Sequence, residues 1–251
     1  MPPAVMKLRD QAYQRFTRGL LAREIRAGQF VTQRELTEIT GMPLGAIREL
    51  IPRLEADGLV RTVPQRGMQV AHVDVHLIRN AFQFRLILER EAAARFAESA
   101  PVEAFEALEA AHRSVIAAAA KGATPQLVAR AQAVDDGMHA QIVDALGNPL
   151  VSDAFRVNFI KIRLIRQASN SIDASLVVPV MQEHLAVIAA LRSRDPVRAA
   201  AAIDEHVSGS RDRALGLPWT PMRAARALAP SRTSATSRKR GLTPDPKQEA
   251  A

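Results

Sequence analysis

From residue 75 to residue 215 the sequence never settles into the apolar/polar alternation of a half-buried strand, and this constrains the fold more than any other feature. The stretch is rich in Ala, Leu, Ile, Arg and Glu. It is interrupted at Pro101, Gly122, Thr124-Pro125, Gly147-Asn148-Pro149 and Asp195-Pro196. Those residues end helices or cannot continue them, so they cut the segment into about six. Each helix must bury its apolar stripe against neighbours, and residues 74–216 are predicted to form an all-α antiparallel bundle.

Residues 1–73 read differently. Leu8, Ala12, Phe16, Leu20 and Ile25 recur at roughly helical spacing between Val5 and Ala27, with Gly28 as a stop. In TQRELTEITG, Thr32 and Glu35 make a capping-box pattern that opens a short helix ending near Gly41. MPLGAIRELIPRLEADG follows, with Pro43 in the first turn, an apolar face of Leu44, Ile47, Ile51 and Leu54, and Asp57-Gly58 as its end. Pro52 falls inside that helix and should bend it, because proline removes a backbone hydrogen bond. LVRTVPQRGMQVA then alternates around a Gln65-Arg66-Gly67 tip, as a two-stranded hairpin does.

Three helices and a hairpin with a basic tip are the order of a winged helix-turn-helix. The third helix of such a domain enters the major groove, and the hairpin touches backbone or minor groove. Arg34, Arg48, Arg53 and Arg66, with Gly67 at the tip, are the candidate DNA contacts, since a guanidinium can grip phosphate or guanine with two donors. Charge agrees with this placement. The net charge is +4 over residues 1–73, −1 over 74–216 and +5 over 217–251, so the positive charge sits at the two ends of the chain. The last segment is rich in Pro, Ser, Thr and Arg, with little apolar content beyond Trp219. It is expected to be a disordered, solvated tail, with nonspecific DNA affinity from its Arg238-Lys239-Arg240 cluster as the alternative.

With 251 residues and no cysteine, two domains are expected, and disulfides, thiolate metal sites and thiol catalysis are excluded. Any metal must be held by His, Asp or Glu. The start, MPPAVMKLRDQAYQ, lacks a signal-like apolar core, and runs such as VIAAAA and LAVIAAL are too short for a bilayer, so a soluble cytoplasmic protein is expected.

Candidate ligands for a metal are scattered. Asp135 and His139 lie one helical turn apart on the third bundle helix, His184 on the fifth and His206 on the last. Three imidazoles and a carboxylate suit a divalent metal such as zinc, nickel or manganese and leave positions open for water or an anion. Spacing alone does not bring them together, and an Asp/His pair at this separation also forms in ordinary hydrogen-bonded couples. His72, His76 and His112 read as satisfied or surface residues.

RELTEITGMPLGAIREL and LEADGLVRTVPQRGMQV resemble the GntR family of bacterial transcriptional regulators, with Arg48-Glu49 on the family's Arg-Glu in the recognition helix. Pro43-Leu44-Gly45-Ala46 replaces the usual Ser-Arg-Thr-Pro, so one expected DNA-contacting arginine is missing, and the loop between Gly28 and Thr32 is short. VDDGMHAQIVDALGN, QEHLAVIAALRSRD and IDEHV are similar, in order and approximate spacing, to the FCD-type ligand domain of the FadR-like subfamily, with Met138 for the usual Phe. The resemblance spans about residues 5–215 and implies that Asp135, His139, His184 and His206 bind the metal. FRLILERE resembles the subfamily's Arg-x-x-Leu-Glu. It implies that Arg85 either holds a carboxylate of the effector or makes a salt bridge with Glu89 or another acid.

The expected protein is a homodimeric regulator, a repressor, whose affinity for a two-fold-related operator responds to a small organic acid in the metal-containing bundle. Two alternatives stand beside it. One is a metal-dependent hydrolase or lyase, for which no motif places a general base. The other is a metal-free regulator with an apolar effector, against which all four candidate ligands count.

Overall fold

The computed structural model describes residues 7–169 and 172–220. The N-terminal unit comprises α1 (Leu8–Leu21), β1 (Phe30–Val31), α2 (Gln33–Thr40), α3 (Leu44–Ala56), β2 (Val60–Val63) and β3 (Gly67–Val70). The Thr32 side chain accepts from Glu35 N while Glu35 reaches back to Thr32 N, and Gly41 closes α2 in the left-handed region at φ 61°. The helix α3 continues through Pro52, which is exposed. It buries Ala46, Ile47, Leu50 and Leu54. The predicted face is therefore rotated: Leu44 is 42% exposed and Ile51 half-buried.

Two local expectations change. The first helix ends at Leu21, because Arg23 turns the chain at φ 65° and Gly19 O takes the N–H groups of both Glu24 and Ile25. Ile25 is still buried, so the apolar spacing ran on past the helix into a packed turn. The hairpin also gains a third strand. Phe30 pairs with Gln69 and Val31 with Met68, in the antiparallel order β1-β3-β2. Two residues are too few to display a period of two.

The bundle comprises α4 (Val75–Ser99), α5 (Val102–Ala119), α6 (Pro125–Asp144), α7 (Pro149–Ser169), α8 (Val177–Arg192) and α9 (Pro196–Ala214). Asp74, Thr124 and Asp195 cap α4, α6 and α9 with side-chain oxygens on otherwise unpaired backbone N–H groups. The helix α4 packs along α9, and α5 along α8. Phe82, Phe96, Phe105, Met138, Ile142, Ile165, Val187, Leu191 and Ile203 lie in the shared core. No helix among the described residues is long and apolar enough to cross a membrane.

The two units meet on α7. Ile162 and Ile165 enter the bundle core while Leu164, 2% exposed, enters the core of the N-terminal unit beside the partly buried Ile160. Gln167 Nε2 donates to Leu21 O at 2.6 Å, and Arg23 donates to Gln167 O at 3.1 Å. One helix thus belongs to both hydrophobic clusters.

Candidate metal centre and DNA-reading surface

Three helices bring the predicted ligands to one buried point. Asp135 and His139 come from α6, His184 from α8 and His206 from α9; one ligand atom from each lies within 4.8 Å of the others, and all four residues are buried. The rings of His139 and His206 stack with centroids 5.2 Å apart, and His184 stands edge-on to His206 at 4.6 Å.

Each imidazole is tied through Nδ1. His139 Nδ1 donates to Glu89 Oε2 at 2.6 Å, His206 Nδ1 donates to Glu183 Oε2 at 3.2 Å, and His184 Nδ1 faces His112 Nε2 at 3.0 Å. The three Nε2 atoms are buried without a hydrogen-bond partner. His184 Nε2 comes within 3.2 Å of Asp135 Oδ1, yet lacks the alignment of a hydrogen bond. Buried polar atoms normally find partners, so three unmet lone pairs around one carboxylate are the arrangement a cation would satisfy. The donor set, three imidazoles and one carboxylate, is suited to a borderline divalent ion.

The electrostatics favour the ligating forms. Burial holds His139, His184 and His206 each at a pKa of about 4, so they are neutral at physiological pH. Burial pushes the Asp135 carboxyl up, but the Arg166 guanidinium paired with it, helped by His184, keeps it well below the usual carboxylate range. Glu89 is likewise drawn down to about 2, because Arg85 and His139 outweigh the cost of its burial.

Arg85 has no exposure. Its Nε pairs with Glu89, whereas its two terminal nitrogens are buried and unpartnered. The salt bridge expected of this residue forms with an acid on its own helix, one turn away, and the fork of the guanidinium is left over. Beside Asp135, a void of about 10 Å³ is lined by Arg166, Ser210 and Arg213, which is room for about one water.

In the N-terminal unit Arg48 is exposed on α3. Arg34 is exposed on α2, where it pairs with Glu38 at 3.1 Å. Arg66 lies over the Phe30 ring, 4.4 Å from its centroid, at the hairpin tip. Gly67 has a steric reason to be glycine: at φ 86°, a Cβ would lie 2.8 Å from Val31 O. Arg53 faces elsewhere. It pairs with Asp10 at 2.9 Å and lies over Tyr13, in the groove between α1 and the bundle.

Comparison with known proteins agrees with both halves. The model of the bacterial regulatory proteins of the gntR family matches residues 8–70, and the FCD domain model matches residues 80–209, just over half the chain. This chain belongs to the GntR family, with an FCD domain. Among solved structures, Escherichia coli McbR/YncC is similar with a TM-score of 0.69 at 16% identity, over 84% of this chain and 99% of that one. A GntR transcriptional regulator from Rhodococcus sp. RHA1 gives 0.66 at 13% identity, over 83% and 97%. No curated protein matches the sequence. GntR proteins with FCD domains are DNA-binding transcription regulators, not enzymes, so the hydrolase or lyase alternative falls with the family assignment.

In this GntR regulator the sequence reading missed the groups behind the ligands. Glu89 sits one turn from Arg85 and was legible as its partner, though not as the anchor of His139. His112, read as satisfied or at the surface, is fully buried against His184. The available signal was its place in the apolar stripe Phe105, Leu108, His112, Val115. Glu183 appeared only within the QEHLAVIAALRSRD motif, with no role attached, and Arg166 gave no sign, since their partners lie on other helices. His72 and His76 are exposed. Trp219, assigned to the tail, packs against Gly209 and donates to Glu183 Oε1 at 3.2 Å. Arg238, Lys239 and Arg240 lie outside the described residues.

Proposed function

We propose that the chain is a metal-containing, effector-responsive repressor of the cytoplasm, acting as a homodimer whose two winged helices read the halves of a symmetric operator. Asp135, His139, His184 and His206 hold the ion, zinc in the first instance, with nickel or manganese also suited to the donors. When bound, the ion supplies a positive Lewis-acid anchor for an oxygen of the effector. Arg85 takes a carboxylate of the same effector with its two unpartnered amino groups. Arg48 and Arg34 contact DNA from the helix-turn-helix and Arg66 from the wing tip, with Gly67 shaping that tip. Arg53 is already engaged with Asp10 and stays out of the interface. The division into a DNA-binding domain at 1–73, an effector domain at 74–216 and a basic tail at 217–251 belongs to the same proposal.

The observation that carries this reading is the set of buried, unpartnered atoms: three imidazole nitrogens around Asp135 and two guanidinium nitrogens on Arg85. A metal-free pocket for an apolar effector would leave all five unmet. Coupling to DNA has a physical route in α7, where Arg166 pairs with Asp135 and Leu164, two residues away, packs in the winged-helix core. An effector that shifts Asp135 and Arg166 therefore acts on the helix that seats the DNA-binding unit. It regulates only if it binds one arrangement of the two units better than the other.

The test combines elemental analysis of the purified protein with fluorescence anisotropy on an operator selected from a random duplex pool. About one divalent ion per chain is expected, and a small carboxylic acid from a panel should weaken operator binding about tenfold or more. Protein free of metal after purification and after zinc loading would end the metal reading. An operator affinity unmoved by every acid would end the effector reading.

A further inference from the structure

His112 is the one fully buried histidine without a role in the reading above. It lies on α5, and its ring stands edge-on to that of His184 with centroids 5.1 Å apart. Its Nδ1 lies 2.7 Å from Leu108 O, one turn back on the same helix, and its Nε2 lies 3.0 Å from His184 Nδ1.

Chemistry fixes the direction of every hydrogen in this row. A carbonyl oxygen only accepts, so His112 Nδ1 must carry hydrogen toward Leu108 O. A neutral imidazole has a single N–H, which leaves His112 Nε2 as an acceptor. The atom facing it, His184 Nδ1, must then be the donor. His184 is thereby left with its lone pair on Nε2, the atom that meets Asp135, His139 and His206. With the opposite tautomer, His184 would present a hydrogen to the centre and could not ligate.

We propose that His112 is a positioning residue of the metal centre, relaying the main-chain carbonyl of Leu108 through two imidazoles to fix the tautomer and ring plane of His184. The inference rests on the metal reading above and adds a residue to it. It also separates the three histidine ligands by kind. His139 and His206 are backed by carboxylates, which raise ligand basicity, whereas His184 is backed by a neutral ring that orients it without adding charge.

Two substitutions separate orientation from packing. His112→Leu keeps an apolar filling and removes the acceptor. His112→Gln keeps an acceptor oxygen near the position of Nε2. Zinc affinity is read by competition with a chromophoric chelator, the His184 tautomer by long-range 1H–15N correlation on the metal-free protein, and the fold by circular dichroism. His112→Leu is expected to lose roughly 10–100-fold in zinc affinity, the usual range for an outer-shell partner. Its His184 should become a mixture of tautomers. His112→Gln should recover most of the affinity and keep the Nδ1–H form. Unchanged zinc affinity in His112→Leu would overturn the proposal, as would equal losses in both variants with the His184 tautomer intact. The wild-type spectrum needs no variant: an Nε2–H tautomer for His184 refutes the relay outright. Wild-type protein that takes up no zinc would sink the metal reading instead, and the tautomer alone would then decide the relay.

Discussion

Replacing His206 by Leu should abolish metal-dependent stabilisation while leaving the metal-free protein nearly as stable as before. In the metal-free fold His206 contributes one hydrogen bond, Nδ1 to Glu183 at 3.2 Å, and carries one buried, unmet Nε2. Losing this bond to a carboxylate costs about 1.5–3 kcal/mol, and removing the unmet nitrogen returns about 1–3 kcal/mol, so the two nearly cancel. Glu183 is not orphaned, because Trp219 Nε1 at 3.2 Å and Arg213 at 3.5 Å still face it. The metal-bound state responds differently. An ion at a hundred times its dissociation constant stabilises the folded chain by about 2.7 kcal/mol. For a protein of this size that is a rise in melting temperature of roughly 5–10 °C. Melts with zinc and with chelator, followed by circular dichroism and by the fluorescence of the single tryptophan, give the comparison directly. Trp219 is a local probe, since its indole donates to the carboxylate that holds His206. A His206→Leu protein that keeps the full zinc-induced rise would refute the assignment of His206 as a ligand. A variant whose metal-free melting temperature collapses would refute the cancellation.

Acid should weaken the metal-free protein within a defined window. His139, His184 and His206 have folded pKa values of about 4 because of burial, against about 6.5 when unfolded. Between those values the unfolded chain binds protons that the folded interior refuses. Their stabilising effect is therefore complete above about pH 6.5 and is lost progressively down to about pH 4, by roughly 3 kcal/mol for one such imidazole. Urea midpoints at pH 7.5, 5.5 and 4.5 measure it, and a midpoint independent of pH would contradict it. Leu164→Ala, at a site 2% exposed in the winged-helix core, should cost about 2–5 kcal/mol in chemical denaturation and blunt the effector response on DNA, with metal content unchanged. A full effector response in that variant would show that α7 does not couple the two units.

The winged helix was legible because its determinants are local. The Thr32–Glu35 capping box, the Gly41 stop and the Gln65-Arg66-Gly67 tip act over three or four residues, and each sits where the sequence placed it. Four of the five junctions between the bundle helices were legible for the same reason, as breakers and caps mark them, whereas no break was read between α7 and α8. Local patterns failed where a longer-range contact replaced the expected one. Ile25 kept helical spacing while lying in a turn, and β1 exists only because β3 offers it a partner.

The sequence by itself therefore determined most of the elements and the kinds of donor: three histidines and an aspartate on three helices, and an arginine one turn from a glutamate. Tertiary structure alone decided which nitrogen of each ring is free, through Glu89, His112 and Glu183, which lie 50, 72 and 23 residues away along the chain from the rings they hold. It also decided that Arg53 is turned toward Asp10 and that α7 is shared between two cores. The physical reason is that a helix period specifies the face a residue occupies, whereas the partner of a buried polar group depends on which other helix is packed opposite that face.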